Sequence, residues 1–398
     1  APKLPVYLDN NATTPLDPRV ISVMRLVLET EFGNPASTTH SLGWSAEELV
    51  RVARENVAAL INAAPEEIVF TSGATEANNL ALKGFAECCT SCAPENIRFI
   101  AAATEHKSVL DPLHTLASRG YPVKILPVSK DGFIDPGVFS RALETGPAFV
   151  SLMLANNEIG TVQDIQTLIA NNRKRIVYFH CDATQAAGKI PVDVTELGAD
   201  LLSFSAHKLH GPKGAGALYI RRRNPLLRLH AQLEGGGHEY GFRSGTLNVP
   251  GIVGFGEACR IAKTELDQTR QHLNLLSQML LTQIQDKIPG VKLNGSPFQR
   301  LPGNLSLAID GIDNSRLIGL ISTKLAMSIS SACQSASPTP SHVLKALGLS
   351  EAEQRSTIRI GIGRFNTEEE IYYAAEILTG AVNKIRTERA SINVVSDR

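Results

Sequence analysis

Net charge is missing from this 398-residue chain: 39 Lys and Arg balance 39 Asp and Glu. That argues against a nucleic-acid or anionic-membrane surface as its partner. No apolar run approaches the ~20 residues a membrane helix needs. Cysteine is scarce and scattered, with six residues at 88, 89, 92, 181, 259 and 333, which excludes a disulfide scaffold in a chain of this length. Cys89-Thr-Ser-Cys92 has CxxC spacing but no second pair or nearby His to complete a zinc site, and it reads as the end of a surface helix. There is no HxxxH, Cys/His quartet or carboxylate cluster, so no metal is expected. Walker A and GxGxxG motifs are also absent, which removes support for nucleoside triphosphate and dinucleotide binding. The start, APKLPVYLDNNATT, lacks the layout of a signal peptide and the Arg/Ser richness of a transit peptide. A cytoplasmic protein with reduced thiols is expected.

What is present is ordinary globular composition, 43% hydrophobic and 20% charged, enough for one large or two medium domains. From about residue 66 to 220, short β-rich runs alternate with helical patterns: EEIVFTSG, NIRFIAAATEH, YPVKILPV, AFVSLMLANNE, RIVYFHCDATQ, ADLLSFSAHK and GALYIRR. Strands separated by helix-length spacers predict an α/β fold with a doubly wound, mainly parallel sheet. Their nearly unbroken apolar character suits strands buried on both faces. Beyond about 251 the pattern changes. GIVGFGEACRIAKTEL through MLLTQIQDKI reads as one long helix, NLSLAIDG and TIRIGIG as strands, and Thr367–Glu370 as a capping box opening a final helix. The division expected is 16–261 as a large domain, with 1–15 and 262–398 forming a smaller α+β domain.

In open α/β sheets, ligands bind outside the carboxyl ends of the strands. Those ends carry Thr71-Ser-Gly-Ala-Thr75-Glu76, then Glu105 and His106, then Asn156, Asn157 and Glu158, then Asp182 and Gln185, then Ser205, His207 and Lys208. One His or Asp alone would be structural, but five successive strand ends carrying such groups point to chemistry. The small-residue turn opening a helix at 71–76 suits a phosphate. A buried lysine is a nucleophile for a carbonyl cofactor. Asp182 could keep a pyridine nitrogen protonated, and His106 could stack on the ring. Lysine, acid and phosphate cup together meet the needs of pyridoxal 5'-phosphate, with Lys208 carrying it.

YLDNNATTP (7–15), GNPAS (33–37), TSGATEANN (71–79), ATEHKSV (103–109), ANNEIGT (155–161), DATQAAGK (182–189), SFSAHKLHGPKG (203–214) and GFRSGTLNVP (241–250) resemble the cysteine desulfurases of the NifS/IscS-like group, over essentially the whole chain. The resemblance implies a fold-type I, pyridoxal-phosphate-dependent transferase of the class V aminotransferase fold, working as a homodimer. Carried over residue by residue, Lys208 would bind the cofactor, Asp182 would pair with the ring nitrogen, Gln185 would meet the ring hydroxyl and His106 would stack on the ring. Thr75, Ser205 and His207 would bind the phosphate, with Thr246 completing the cup from the other subunit. Asn157 would lie near ring and substrate, and Asn34 and Arg359 would hold the substrate carboxylate. On the residues alone, Arg359 could equally be a surface strand residue.

AMSISSACQSASPTPSHVL (326–344) is small and polar and reads as a loop. A cysteine with so little apolar cover is placed to react, and the resemblance implies that Cys333 is the sulfur acceptor. The implied reaction converts L-cysteine to L-alanine, with Lys208 removing the Cα proton and the Cys333 thiolate taking the sulfur as a persulfide. His106 would serve as proton donor. The sulfur would pass to iron–sulfur scaffold or other acceptor proteins. Selenocysteine lyase, a β-eliminating lyase or aminotransferase that ignores Cys333, a sulfur-delivery scaffold and a Rossmann-like binding protein are the alternatives. Two positions depart from the group: Ser330 replaces a usual glycine before the cysteine, and Tyr240 replaces a usual arginine.

Overall fold

The computed structural model describes residues 2–92, 97–222, 227–329 and 341–396. Twelve strands are present among them: β1 (Val6–Tyr7), β2 (Ile68–Thr71), β3 (Arg98–Ala102), β4 (Val123–Leu126), β5 (Ala148–Met153), β6 (Ile176–Asp182), β7 (Leu201–Ser205), β8 (Gly216–Ile220), β9 (Val291–Leu293), β10 (Asn304–Ile309), β11 (Leu325–Ala326) and β12 (Thr357–Gly361). The seven runs between 66 and 220 form one sheet in the order β2-β8-β7-β6-β5-β3-β4. All neighbours pair in parallel except β8, which is antiparallel to both β2 and β7.

Successive residues of these strands enter opposite cores. Phe70, Val150, Leu202 and Phe204 pack with the helices Ser41–Leu60 and Val249–Thr264. Val69, Phe149, Leu201 and Leu218 pack with the helices Ala74–Cys92 and Lys107–Ser118. Burial on both faces explains why the strands read as apolar runs rather than as alternating ones.

A further core joins Val6 and Leu8 to Leu273–Ile288, Leu305–Leu325 and Ile358–Ile385. It is built on the antiparallel sheet β12-β10-β9 and the short pair β1-β11. The long helix expected from 251 to 288 is two helices, Val249–Thr264 and Leu266–Lys287, with Glu265 between them outside helical geometry (φ −103°, ψ 12°). The break lets Phe255 to Ala262 pack on the large sheet and Leu273 to Ile284 on the other core. The capping box at 367 is formed: Thr367 N donates to Glu370 Oε2 at 3.1 Å, and Glu370 N donates to Thr367 Oγ1 at 3.3 Å.

The first residues, which show little periodicity, link the large sheet to this further core. Asp9 bridges to Gly361 at the end of β12, and Thr14 N donates to the carbonyl of His207 at 2.9 Å beyond β7. The segment between them crosses the carboxyl ends of the large sheet.

Candidate active site

A cavity of 500 Å³ opens where the carboxyl ends of the sheet meet this N-terminal segment and β12. Nine of the residues singled out in the sequence line it: Thr75, His106, Asn157, Asp182, Gln185, Ser205, His207, Lys208 and Arg359. They come from six chain segments: eight stand at or just beyond the carboxyl ends of β2, β3, β5, β6 and β7 of the large sheet, and Arg359 comes from β12 of the antiparallel sheet.

Lys208 follows β7 in a single 3₁₀ turn, Ala206–Lys208. Its Nζ donates to the main-chain carbonyls of Asn11 at 2.7 Å and Ala12 at 2.6 Å. Asp182 ends β6 and is buried, with Oδ1 accepting from Thr184 N at 2.9 Å and Oδ2 from Asn78 Nδ2 at 3.0 Å. Asn78 Nδ2 also donates to Ser108 Oγ at 2.9 Å. Ser108 in turn holds His106: its main-chain N donates to Nδ1 at 3.1 Å, and its hydroxyl lies 2.8 Å from the same atom. A main-chain N–H can only donate, so Nδ1 is the acceptor and the imidazole proton sits on Nε2. His106 is also the N-cap of helix Lys107–Ser118. Burial lowers its pKa, with Lys208 acting in the same direction and Asp182 against it, so the ring is neutral near pH 7.

The turn after β2 forms a cup. Gly73 has φ +154°, which favours glycine, and a Cβ there would stand in van der Waals contact with Ser205 Oγ at 3.8 Å, where the turn leads into helix Ala74–Cys92. The leading N–H groups of a helix have no intrahelical acceptors and suit an anion. Thr75, Lys213 and His207 line the same region. Burial, aided by Lys208 and Lys213, pushes the His207 pKa down to about 4, so this imidazole is neutral as well.

Arg359 is not a surface residue: it is 2% exposed. Its Nη2 donates to Asp9 Oδ1 at 2.9 Å and Nη1 to the carbonyl of Asn157 at 3.2 Å, while the buried Nε has no partner. Asp9 is held in turn by Ser328 Oγ at 2.8 Å. Asn156 turns the chain after β5, accepting from Glu158 N at 2.8 Å and Ile159 N at 3.0 Å, and this leaves Asn157 at the cavity.

Two of the expected residues stand elsewhere. Asn34 is exposed, and its Oδ1 accepts from Ala36 N at 3.0 Å beside a separate cavity that it shares with Tyr240. Thr246 is exposed before helix Val249–Thr264. Cys333 lies outside the described residues, as does the Ser330 departure. Asn11, Ala12, Asn78, Ser108 and Thr184 belong to the site and were not singled out in the sequence; only their nearness to quoted motifs could have suggested them.

The donor set fits pyridoxal 5'-phosphate: a lysine amine, a buried carboxylate, a neutral imidazole and an anion cup share one cavity. Two buried polar atoms in its wall, Asn11 Nδ2 and Thr184 Oγ1, have no protein partner, as expected of groups kept for a polar ligand. Fold and donor set together are those of the fold-type I pyridoxal-phosphate transferases. A family model described as aminotransferase class-V matches residues 6–373. Over 395 residues the chain is 46% identical to the cysteine desulfurase IscS of Anaeromyxobacter dehalogenans (strain 2CP-C), covering 99% of this chain and 96% of that protein. It is 49% identical over 386 residues to the cysteine desulfurase IscS of Vibrio cholerae serotype O1 (strain M66-2), covering 96% and 94%. A solved NifS-like protein superposes with a TM-score of 0.87 at 36% identity, covering 96% of this chain and all of that one. The chain belongs to the aminotransferase class-V family and, within it, to the NifS/IscS-like cysteine desulfurases, which depend on pyridoxal 5'-phosphate.

Proposed function

We propose that this enzyme converts L-cysteine to L-alanine and passes the sulfur, as a persulfide on Cys333, to acceptor proteins that assemble iron–sulfur clusters or thio-cofactors. The observation that carries the reading is the convergence of Lys208, Asp182, His106 and Arg359 on one cavity. When bound, the cofactor supplies an electron sink for the bonds at the substrate Cα and Cβ. Lys208 would hold it and, once displaced by substrate, take the Cα proton on Nζ. Asp182 would keep the ring nitrogen protonated, Gln185 would meet the ring hydroxyl and His106 would cover the ring face. Thr75, Ser205 and His207 would hold the phosphate, completed by Thr246 of a second subunit.

Arg359, oriented by Asp9, would take the substrate carboxylate through the N–H groups left unspent. Asn157 would stand beside ring and substrate; Asn34, outside this cavity within the chain, would reach a carboxylate only in the assembled homodimer. The Cys333 thiolate would attack the substrate sulfur, forming the S–S bond as the C–S bond breaks, with the electron pair passing to the carbon that becomes the alanine methyl. His106 Nε2–H would supply a proton to a thiolate or to that carbon. No oxidant is required, because the carbon gains the electrons that the two sulfurs lose.

The same reading takes the protein as a cytoplasmic homodimer, divided into 16–261 and 1–15 plus 262–398. Among the described residues, no helix is long and apolar enough to cross a membrane. Product analysis tests the proposal. Alanine from L-cysteine supports sulfur removal with retention of the amine, whereas pyruvate and ammonia would assign a β-eliminating lyase. A marked preference for L-selenocysteine would assign the selenocysteine lyase.

A further inference from the structure

The turn after β6 buries a second lysine beside Lys208. Lys189 is 8% exposed, and its Nζ donates to Gln185 Oε1 at 3.1 Å. It lines a small cavity of 20 Å³ that Lys208, His210 and Arg364 also line. Gly188, at φ +77°, packs the turn so tightly that a Cβ would come within 3.0 Å of Leu209 Cβ, next to Lys208. The charged groups facing Lys189 are cations or imidazoles: Lys208 and Arg359 act on it directly, and its charge acts on His207 and His210. Burial first, then Lys208 and Arg359, pushes its pKa down to about 7. Burying a lysine without a carboxylate is costly, so what its N–H groups hold in place matters.

They hold an amide. With Oε1 accepting from Lys189, the Gln185 side chain can present only its NH₂ on the other side. That Nε2 donates to the Asn11 carbonyl at 2.9 Å, the same oxygen that accepts from Lys208 Nζ at 2.7 Å. One hydrogen of Nε2 remains for a ligand in the cavity that Gln185 lines. We propose that Lys189 is a positioning residue: by fixing the orientation of the Gln185 amide, it keeps an N–H donor facing the ring hydroxyl of the cofactor. This rests on the reading of Gln185 and Lys208 as cofactor-holding groups. An amine and an ammonium both carry N–H donors, so the orientation holds on either side of the lysine's own titration near pH 7.

The test uses the holoenzyme and its visible absorption band, followed as a function of pH in the wild type, Lys189→Met, Gln185→Ala and the double variant. Lys189→Met is expected to displace the band in the same direction as Gln185→Ala and to weaken cofactor retention by about tenfold, the scale of one charge-assisted hydrogen bond. It should add nothing further in the Gln185→Ala background. The displacement should be present on both sides of pH 7. If Gln185→Ala moves the band and Lys189→Met does not, the proposal is wrong. It is also wrong if Lys189→Met acts at full size without Gln185, or only below about pH 7, where charge rather than orientation would be the cause. Should the Met variant not fold, Lys189→Gln retains a donor and is expected to keep the wild-type band; a band moved as far as in Gln185→Ala would overturn the proposal. A wild type with no visible band would remove the cofactor reading itself, and this inference with it.

Discussion

Asn78 donates one Nδ2 hydrogen bond to the Asp182 carboxylate at 3.0 Å and another, at 2.9 Å, to the serine that fixes the His106 ring. A single amide thus helps set the positions of the Asp182 carboxylate and, through Ser108, of the His106 ring, the two groups proposed to hold the cofactor ring. Asn78→Ala is expected to lower turnover by roughly tenfold to hundredfold, the scale for losing an outer group that orients a functional one. Most of the loss should fall on kcat, with KM for cysteine little changed. Steady-state kinetics check this, and unchanged kcat would remove Asn78 from the account.

Arg359 has a rigid acceptor in Asp9 and a planar fork that lysine lacks. Arg359→Lys is expected to raise KM for L-cysteine by at least about tenfold, as for loss of a bidentate charged contact. Kinetics with L-cysteine and with cysteamine, which has no carboxylate, provide the check. The two substrates should become nearly equal in the variant.

Glu105, fully buried at the end of β3, has Oε1 accepting from Met153 N at 3.0 Å and Oε2 without a partner. Burial pushes its carboxyl well above the usual value, with Asp182 acting in the same direction. The folded form therefore keeps a proton that the unfolded chain releases once pH exceeds about 4.5. Its contribution to stability is intact below that pH and is lost as pH rises toward the folded value. Glu105→Gln carries no such penalty, so its stability relative to wild type is expected to grow with pH. Denaturant unfolding at a series of pH values measures this, and a constant difference would contradict it.

Glu239 accepts from Arg54 at 2.6 and 2.8 Å and from Phe70 N at 2.7 Å, almost wholly out of water. Removing one partner strands the other charge, at a cost of roughly 3–5 kcal/mol. Glu239→Ala should show that loss in denaturant unfolding, and a cost under about 1 kcal/mol would place the pair among surface bridges. The neighbouring Tyr240 ring lies 5.6 Å from the Arg54 guanidinium and 5.2 Å from that of Arg222. The ring thus stands between two cations, a placement that favours an aromatic side chain at this position.

The seven strands of the large sheet were legible because burial on both faces leaves unbroken apolar runs, and the groups placed at their ends followed from that. The break at Glu265 was not legible, since both helices share one periodicity and only the change of core separates them. Asn11 and Ala12 act through main-chain carbonyls, which no side-chain pattern records. Asn78 sits within TSGATEANN, but an asparagine one turn into a helix reads as a solvent residue until a buried Asp182 is found beside it. Arg359 looked as much like a surface strand residue as a ligand-binding one; its burial between Asp9 and Asn157 depends on the N-terminal segment crossing beside β12.

The most direct test is a single turnover with L-cysteine in which alanine is quantified and the sulfur on each cysteine is mapped by mass spectrometry, for wild type, Cys333→Ala and Lys208→Ala. Wild type is expected to yield one alanine for each sulfur gained by Cys333, and neither variant should release alanine at a comparable rate. Undiminished alanine release by Cys333→Ala, or sulfur found on another cysteine, would contradict the assignment of Cys333 as the acceptor of a Lys208-dependent reaction.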